Sequence, residues 1–208
     1  NSWKQVASFP GKAVNDLLCV VIDNCLYTTE GYTDTQFKPD TYKYDPQANT
    51  WTRLNDCPVK RTGTAGFAIG KNLYVGTGYD IENYKDFYCY NSETDNWKRV
   101  ANLPGVRVLS KGVTINNYGY MLLGRYWNGS LNGGRLLSDV LRYDPSNDEW
   151  TELTEYLGGL EVSGGKMKST KSEEWSAPNA GADNSSGFSA VGAGFRDKTG
   201  IYAGLHEV

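Results

Sequence analysis

Apolar and polar residues alternate in short runs along the first 150 residues, and tight polar turns separate the runs. The segments 22–27, 69–74 and 115–120 each carry two polar or glycine residues between apolar positions. Alternation over about five residues is typical of half-buried strands, and Asn, Asp and Gly tolerate the positive φ angles of two-residue hairpin turns. The pattern predicts three β-hairpins at regular spacing.

A second repeat follows each predicted hairpin. Tyr precedes Trp by seven residues, with Asn or Asp at the fifth position after the Tyr, in segments 44–51, 90–97 and 143–150. Starting from Trp3, successive tryptophans of this series are 48, 46 and 53 residues apart. This period matches a four-stranded propeller blade, in which Tyr ends the third strand, a turn follows and Trp begins the outer strand. The repeat predicts an all-β fold.

These segments resemble the kelch repeat family over about residues 1–147. The resemblance is carried by the Tyr-Asp-Pro…Trp segment, by a downstream Pro and Arg, and by a Leu-Tyr strand that ends at a single glycine. It implies kelch-type β-propeller blades, about three of them, in an incomplete ring whose further blades come from missing sequence or from another subunit. The glycines that end the strands are Gly31, Gly78 and Gly124.

The repeat stops after Trp150. Residues 148–159 predict a short amphipathic helix, because Trp150, Leu153 and Leu157 share one helical face and Gly158 suits its end. Residues 148–208 resemble a truncated Fibrobacter succinogenes major paralogous domain, a family of secreted and surface-attached bacterial proteins. The matching residues are 149–153, 156–159, 164–168, Trp175, 176–179 and 187–190. The resemblance implies a small α+β segment and an extracellular or cell-surface location, although the chain itself shows no signal peptide.

Charge and composition narrow the classes of function. The formal net charge is -3 with no long run of one sign, which argues against nucleic acid as a partner. No stretch approaches the roughly 20 apolar residues of a membrane span. The one histidine, His206, cannot supply a Ser-His-Asp triad or a histidine-rich metal centre. We therefore expect no catalytic residue, no metal site, no cofactor and no enzymatic activity.

The four cysteines, Cys19, Cys25, Cys57 and Cys89, form no C-x-x-C pair and have no histidine nearby, so a zinc site is not expected. Cys19 and Cys25 lie on neighbouring strands of the first predicted hairpin. We expect both to be buried, small apolar residues. A disulfide between these two cysteines is the alternative.

The loops after the three glycines are the candidate binding site, because repeat symmetry places all three on one face of the blades. The residues assigned to ligand binding are Tyr32, Tyr79, Arg125, Tyr126, Trp127 and Asn128. Aromatic faces beside amide and guanidinium groups suit a sugar ring or a peptide hot spot. Trp127 lies outside the blade pattern, and the alternative is that its loop only packs this ring onto its own blade.

These observations predict a non-enzymatic, secreted or surface-anchored bacterial binding module for a glycan or a protein ligand. Two alternatives stay open. In the first, the chain is a fragment of a kelch-type carbohydrate-active enzyme, similar to a sugar isomerase. In the second, the blades are a structural scaffold without a ligand of their own.

Overall fold

The structure, a computed structural model, describes residues 1–129, 134–156, 195–196 and 202–203. Its main feature is a set of three four-stranded sheets, each of which is one blade. The first blade contains β1 (Leu18–Ile22), β2 (Cys25–Thr29), the short pair β3 (Tyr32–Thr33) and β4 (Gln36–Phe37), β5 (Thr41–Asp45) and β6 (Thr50–Leu54). The second contains β7 (Ala65–Ile69), β8 (Asn72–Gly76), β9 (Phe87–Asn91) and β10 (Asn96–Val100). The third contains β11 (Lys111–Ile115), β12 (Tyr118–Leu122), the pair β13 (Arg125–Tyr126) and β14 (Arg135–Leu136), β15 (Val140–Asp144) and β16 (Glu149–Glu152).

The strand order confirms the predicted all-β class and the blade architecture. Each sheet is a meander in chain order, and the first hairpin turns at Asp23 and Asn24, whose φ angles are 51° and 60°. Strand β7 contacts both β1 and β11, so these three strands form the inner edge shared by the blades. The outer strands β6, β10 and β16 carry Trp51, Trp97 and Trp150, as the repeat predicts. Trp3, the first tryptophan of the series, lies outside any strand and is fully exposed.

Two apolar layers hold the blades together. Val20, Tyr27, Leu73 and Tyr90 fill the layer between the first two sheets, and the last two of these are fully buried. The layer between the second and third sheets is centred on Phe67 and is filled by aromatic and aliphatic side chains from both blades. Burying one such side chain stabilises the fold by about 1.5–3 kcal/mol, so the sheets are held face to face largely by these layers.

The Tyr…Asn/Asp…Trp repeat also bonds each blade to the chain segment before it. In the second blade, the Tyr90 hydroxyl and the Asn55 backbone N–H both donate to Asp95 Oδ1, at 2.8 and 3.0 Å. The Trp97 indole N–H donates to the Asn55 carbonyl at 3.0 Å. The same bonds recur at the other two junctions, in the sets Tyr44, Asn49, Ala7, Trp51 and Tyr143, Asp148, Ala101, Trp150. The polar residue of the repeat is therefore an interblade anchor as well as a turn residue.

The helix predicted over residues 148–159 is wrong in its first half. Residues Glu149–Glu152 form β16, which is the outer strand of the third sheet, and only Leu153–Tyr156 form the single helical turn α1. Trp150 packs against the apolar layer beside Phe67, with ring centroids 6.0 Å apart. Pairing with β15 and burial of this ring favour the strand over a helix that would leave the sheet edge unpaired.

The chain divides into two compact units, residues 1–151 and 152–208. In the second unit the structure describes α1 and the antiparallel pair β17 (Phe195–Arg196) and β18 (Tyr202–Ala203). Residues 157–194, which carry most of the resemblance to the Fibrobacter domain, lie outside the described residues. Among the helices that the structure describes, none is long and apolar enough to cross a membrane.

The cysteines depart in part from the expectation. All four are free, and strand register separates the first two, since Cys19 faces Thr28 and Cys25 faces Ile22. The prediction of a buried position is wrong for Cys19, which is exposed, and Cys25 is half-buried. Alternation along β1 turns Cys19 to the side opposite the buried Val20, which explains the difference.

Candidate functional site

The loops after the three glycines are built alike and meet the chain entering each blade. In every blade the residue after the glycine forms an antiparallel bridge to a residue just before the inner strand. The two backbone hydrogen bonds of each bridge are 2.9 to 3.1 Å long. The bridged pairs are Asn15 with Tyr32, Thr62 with Tyr79, and Val108 with Arg125. The bridges fix the three predicted site residues at the same end of the inner strands.

A cavity of about 400 Å³ lies at this end, and we call it the axial cavity. It is lined by Tyr32, Tyr79, Arg125 and Trp127, so the structure brings together four of the six site residues predicted from sequence. Turn residues with left-handed backbone also line it, namely Asp16, Gly63 and Leu109, with φ angles of 53°, 62° and 57°. Apolar and aromatic side chains dominate its wall, and its charged groups are Asp16 and Arg125.

Trp127 is held in place by a residue of the neighbouring blade. The Asn83 side-chain amide donates to the Trp127 carbonyl at 2.6 Å and accepts from the Trp127 backbone N–H at 2.8 Å. The Arg125 guanidinium carbon lies 4.8 Å from the centroid of the Trp127 ring, within the range of a cation–π contact. Sequence reasoning missed Asn83, because no motif marks an asparagine whose partner lies 44 residues further along the chain.

Tyr126 and Asn128 do not line the axial cavity. Both are exposed and line a second cavity of about 470 Å³, which we call the middle cavity, together with Glu82. Tyr79 and Trp127 line both of these cavities, so one aromatic wall separates them.

A third cavity of about 540 Å³ follows, and we call it the basic cavity. Tyr126 and Val106 form the wall that it shares with the middle cavity, and Arg107, Arg135 and Asp139 complete its charged lining. The three cavities therefore form a continuous series.

Buried arginines support the loops of the second and third blades. Arg61 forms a bidentate salt bridge with Asp86, with N–O distances of 2.6 and 2.9 Å, and also donates to the Thr77 carbonyl at 3.2 Å. Arg107 makes the same set of bonds to Asp139 and to the Leu123 carbonyl. Bidentate pairs of this kind fix geometry as well as charge.

The first blade departs from this arrangement. Val14 stands where the other blades have the arginine, directly before the bridging residue Asn15. Glu30, which precedes Gly31, is buried, and neither of its carboxyl oxygens makes a hydrogen bond of standard geometry among the described residues, although the Thr64 and Cys57 side chains lie near enough to lower its pKa. Burial raises the pKa of Glu30 to about 8, against the opposing effects of Thr64 and Arg61. A neutral carboxylic acid is therefore expected here at neutral pH.

Tyr84, in the loop of the second blade, is held by Asp80 and Arg61. Burial and a 2.9 Å hydrogen bond to Asp80 raise the pKa of Tyr84 to about 12, so its hydroxyl stays protonated. The Arg61 guanidinium stacks on the Tyr84 ring at 3.7 Å. Within the part of the chain that the structure describes, no cluster of three His, Cys, Asp or Glu side chains could hold a metal ion.

Comparison with known proteins identifies the repeat. The Kelch motif family matches residues 15–58. Kelch-like protein 26 of Danio rerio is 28% identical over 169 residues, which cover 79% of this chain and 27% of that protein. The N-acetylneuraminate epimerase of Salmonella enteritidis PT4 is 27% identical over 192 residues, which cover 73% of this chain and 49% of that protein. The chain thus spans about half or less of the length of these relatives.

A solved structure agrees with the fold. The structure titled "Structure of YjhT" superposes with a TM-score of 0.60 at 19% identity, over 71% of this chain and 53% of that one. At this identity the likeness shows the fold and nothing about activity. The strand topology, the motif and the relatives agree, and the chain contains a kelch repeat domain built of β-propeller blades.

Proposed function

We propose that the blades form a binding module for a protein ligand, with an apolar side chain of that ligand inserted into the axial cavity. One observation carries the proposal: the glycine-following loops of three blades place Tyr32, Tyr79, Arg125 and Trp127 around one cavity of about 400 Å³. Tyr, Trp and Arg are the residue types that dominate protein-binding hot spots. A wall with so few polar groups suits an apolar side chain better than the hydroxyls of a sugar.

The structure also favours binding through preorganisation. Trp127 is half-buried and fixed through its backbone by Asn83, so the ring needs little ordering when a ligand arrives. Ordering a flexible loop on binding costs entropy and lowers the affinity. A preformed site avoids this cost.

Peptides selected from a phage-displayed library on the immobilised chain test the proposal. Replacing Trp127 with Ala should weaken binding of a selected peptide by about 30-fold or more, as hot-spot truncations do. Trp3→Ala is the matched control, because Trp3 is fully exposed and has no place in the cavity. Unchanged affinity of the Trp127→Ala variant would contradict the proposal, and selective binding to a glycan array would replace it with a sugar ligand.

An enzymatic reading has one specific observation in its favour, the similarity to N-acetylneuraminate epimerase. Asp16 and Arg125 are the charged groups at the axial cavity, and Asp16 accepts a 3.0 Å hydrogen bond from the Thr62 hydroxyl. Incubation with N-acetylneuraminate, followed by NMR, separates the two functions. Turnover that Asp16→Asn abolishes would overturn the non-enzymatic proposal. The absence of turnover together with peptide binding would support it.

The surface location remains part of the proposal and rests on the resemblance of residues 148–208 to a secreted and surface-attached family. Protease treatment of intact cells that express the protein tests it directly. Digestion of the chain without lysis is the expected result, and protection until lysis would contradict it.

A further inference from the structure

We propose that Asn128 is a site of spontaneous deamidation, through which the chain places a second carboxylate in the middle cavity. The inference goes beyond the proposed function, because it concerns the covalent chemistry of this loop and not its ligand. Asn128 is followed by Gly129. The sequence has one other Asn-Gly pair, Asn132-Gly133, which lies outside the described residues.

The reaction needs only water and two adjacent residues. The backbone nitrogen of Gly129 loses its proton and attacks Cγ of Asn128, so a new C–N bond closes a five-membered succinimide ring. The side-chain nitrogen takes up a proton and leaves as ammonia. Water then opens the ring at either carbonyl carbon, which gives aspartate or isoaspartate. Glycine favours the ring closure, because it has no Cβ to obstruct the approach and adopts a wide range of backbone angles.

The surroundings of this pair permit the ring closure. Asn128 and Gly129 are both exposed, and neither belongs to a strand. Gly129 has a φ angle of 88°, and a Cβ placed on it would meet no heavy atom within 4 Å beyond its chain neighbours. The backbone nitrogen and the side-chain carbon can therefore meet by rotation within the loop, without displacing a group packed on Gly129.

Asparagines in the blades are held by hydrogen bonds of their side chains. The Asn91 side-chain oxygen accepts from the backbone N–H groups of Glu93 and Thr94, at 3.0 and 2.9 Å. The Asn55 side-chain amide donates to the Asp95 carbonyl at 2.7 Å. These bonds have to break before the side-chain carbon can meet the next backbone nitrogen, and breaking them costs free energy. We therefore expect folding to protect Asn91 and Asn55.

The product changes the charge of the middle cavity. Glu82 is the one carboxylate among the described residues that line this cavity, and Asn128 lines it too. Deamidation adds a second negative charge, which disfavours an anionic ligand there and favours a cationic one. The isoaspartate product also lengthens the backbone by one carbon directly after Trp127, whose own backbone is bonded to Asn83.

Ageing of the whole chain at mildly alkaline pH, folded and in guanidinium chloride, tests the inference. Peptide mass spectrometry gives the deamidation rate of each asparagine, and fragment ions distinguish Asn128 from Asn132. In the folded chain Asn128 should react at least about 10-fold faster than Asn91 and Asn55. Unfolding should change the Asn128 rate by less than about 3-fold, because the loop is already exposed, and should accelerate the other two.

Gly129→Ala should slow deamidation of Asn128 by about 10-fold, because the new methyl group obstructs ring closure. Gly105→Ala is the matched control, since a Cβ at Gly105 also meets open space, and it should leave the Asn128 rate unchanged. An Asn128 rate no higher than that of Asn91, a strong rise of the Asn128 rate on unfolding, or no effect of Gly129→Ala would each overturn the inference.

Discussion

Replacing Glu30 with Gln tests whether this buried carboxyl lowers the stability of the fold at neutral and alkaline pH. Glu30 is 3% exposed, and in the described part of the chain neither carboxyl oxygen makes a hydrogen bond of standard geometry, with Thr64 and Cys57 as its polar neighbours. Its charged neighbours are Arg61, whose guanidinium is already paired with Asp86, and the Asp86 carboxylate, which opposes ionisation of Glu30. Lys12, Lys38 and Asp40 line the small cavity beside it.

The magnitude follows from the pKa. Burial raises the Glu30 pKa from 4.5 to about 8, and one pKa unit corresponds to about 1.4 kcal/mol. Between pH 4.5 and 8 the folded state keeps this proton while the unfolded state has released it, so the free energy of unfolding falls as pH rises. The loss attributable to Glu30 is on the order of 5 kcal/mol at pH 8 and above, and it disappears below pH 4.5.

Urea denaturation of the wild type and of Glu30→Gln, from pH 5 to pH 9, measures this effect. The amide cannot ionise, so the variant should gain several kcal/mol relative to the wild type as pH rises, while the two stay within about 1 kcal/mol near pH 5. Glu82→Gln, at an exposed position, should show no such divergence. Parallel stability curves for the wild type and Glu30→Gln would refute the reasoning.

Three further predictions follow from the packing and the site. Trp51→Ala should cost about 3–5 kcal/mol in chemical denaturation, because the ring packs on its blade and bonds the preceding segment, and a loss below about 1 kcal/mol would contradict the blade assignment. Asn83→Ala should weaken peptide binding by about 10-fold by releasing Trp127, with less than 1 kcal/mol change in stability. With a thiol reagent, Cys19 should react in the folded protein and Cys57 only after unfolding, and equal rates would be the contrary result.

Much of the candidate site was predictable because the repeat fixes the phase of each loop. Every blade has a glycine at the same strand end, and the residue after it begins a loop on the same face, which places Tyr32, Tyr79 and Arg125 at one cavity. Trp127 was identified because it fell outside the blade pattern. Tyr126 and Asn128 were assigned with it from sequence proximity, and they lie in the neighbouring cavity instead.

The residues that sequence reasoning missed act through partners distant in the chain. Asn83 shows no motif, and its role depends on Trp127 in the next blade. In the sequence Glu30 is an ordinary acidic residue at a strand end, and only the tertiary structure shows that it is buried. The hydrogen bond from the Asn55 backbone N–H to Asp95 could not be predicted from the sequence for the same reason. A role in the turn was enough to account for Asp95 by itself.

The sequence by itself determined the blade repeat, the hairpin turns and the face on which the loops emerge. These features depend on alternation, turn chemistry and period, which are local and recur every 46 to 53 residues. Tertiary structure decided that residues 149–152 pair as a strand instead of forming a helix, that Glu30 is buried, and that three loops enclose a series of cavities. Each of these depends on which surface lies against a segment, and that surface comes from a neighbouring strand or blade.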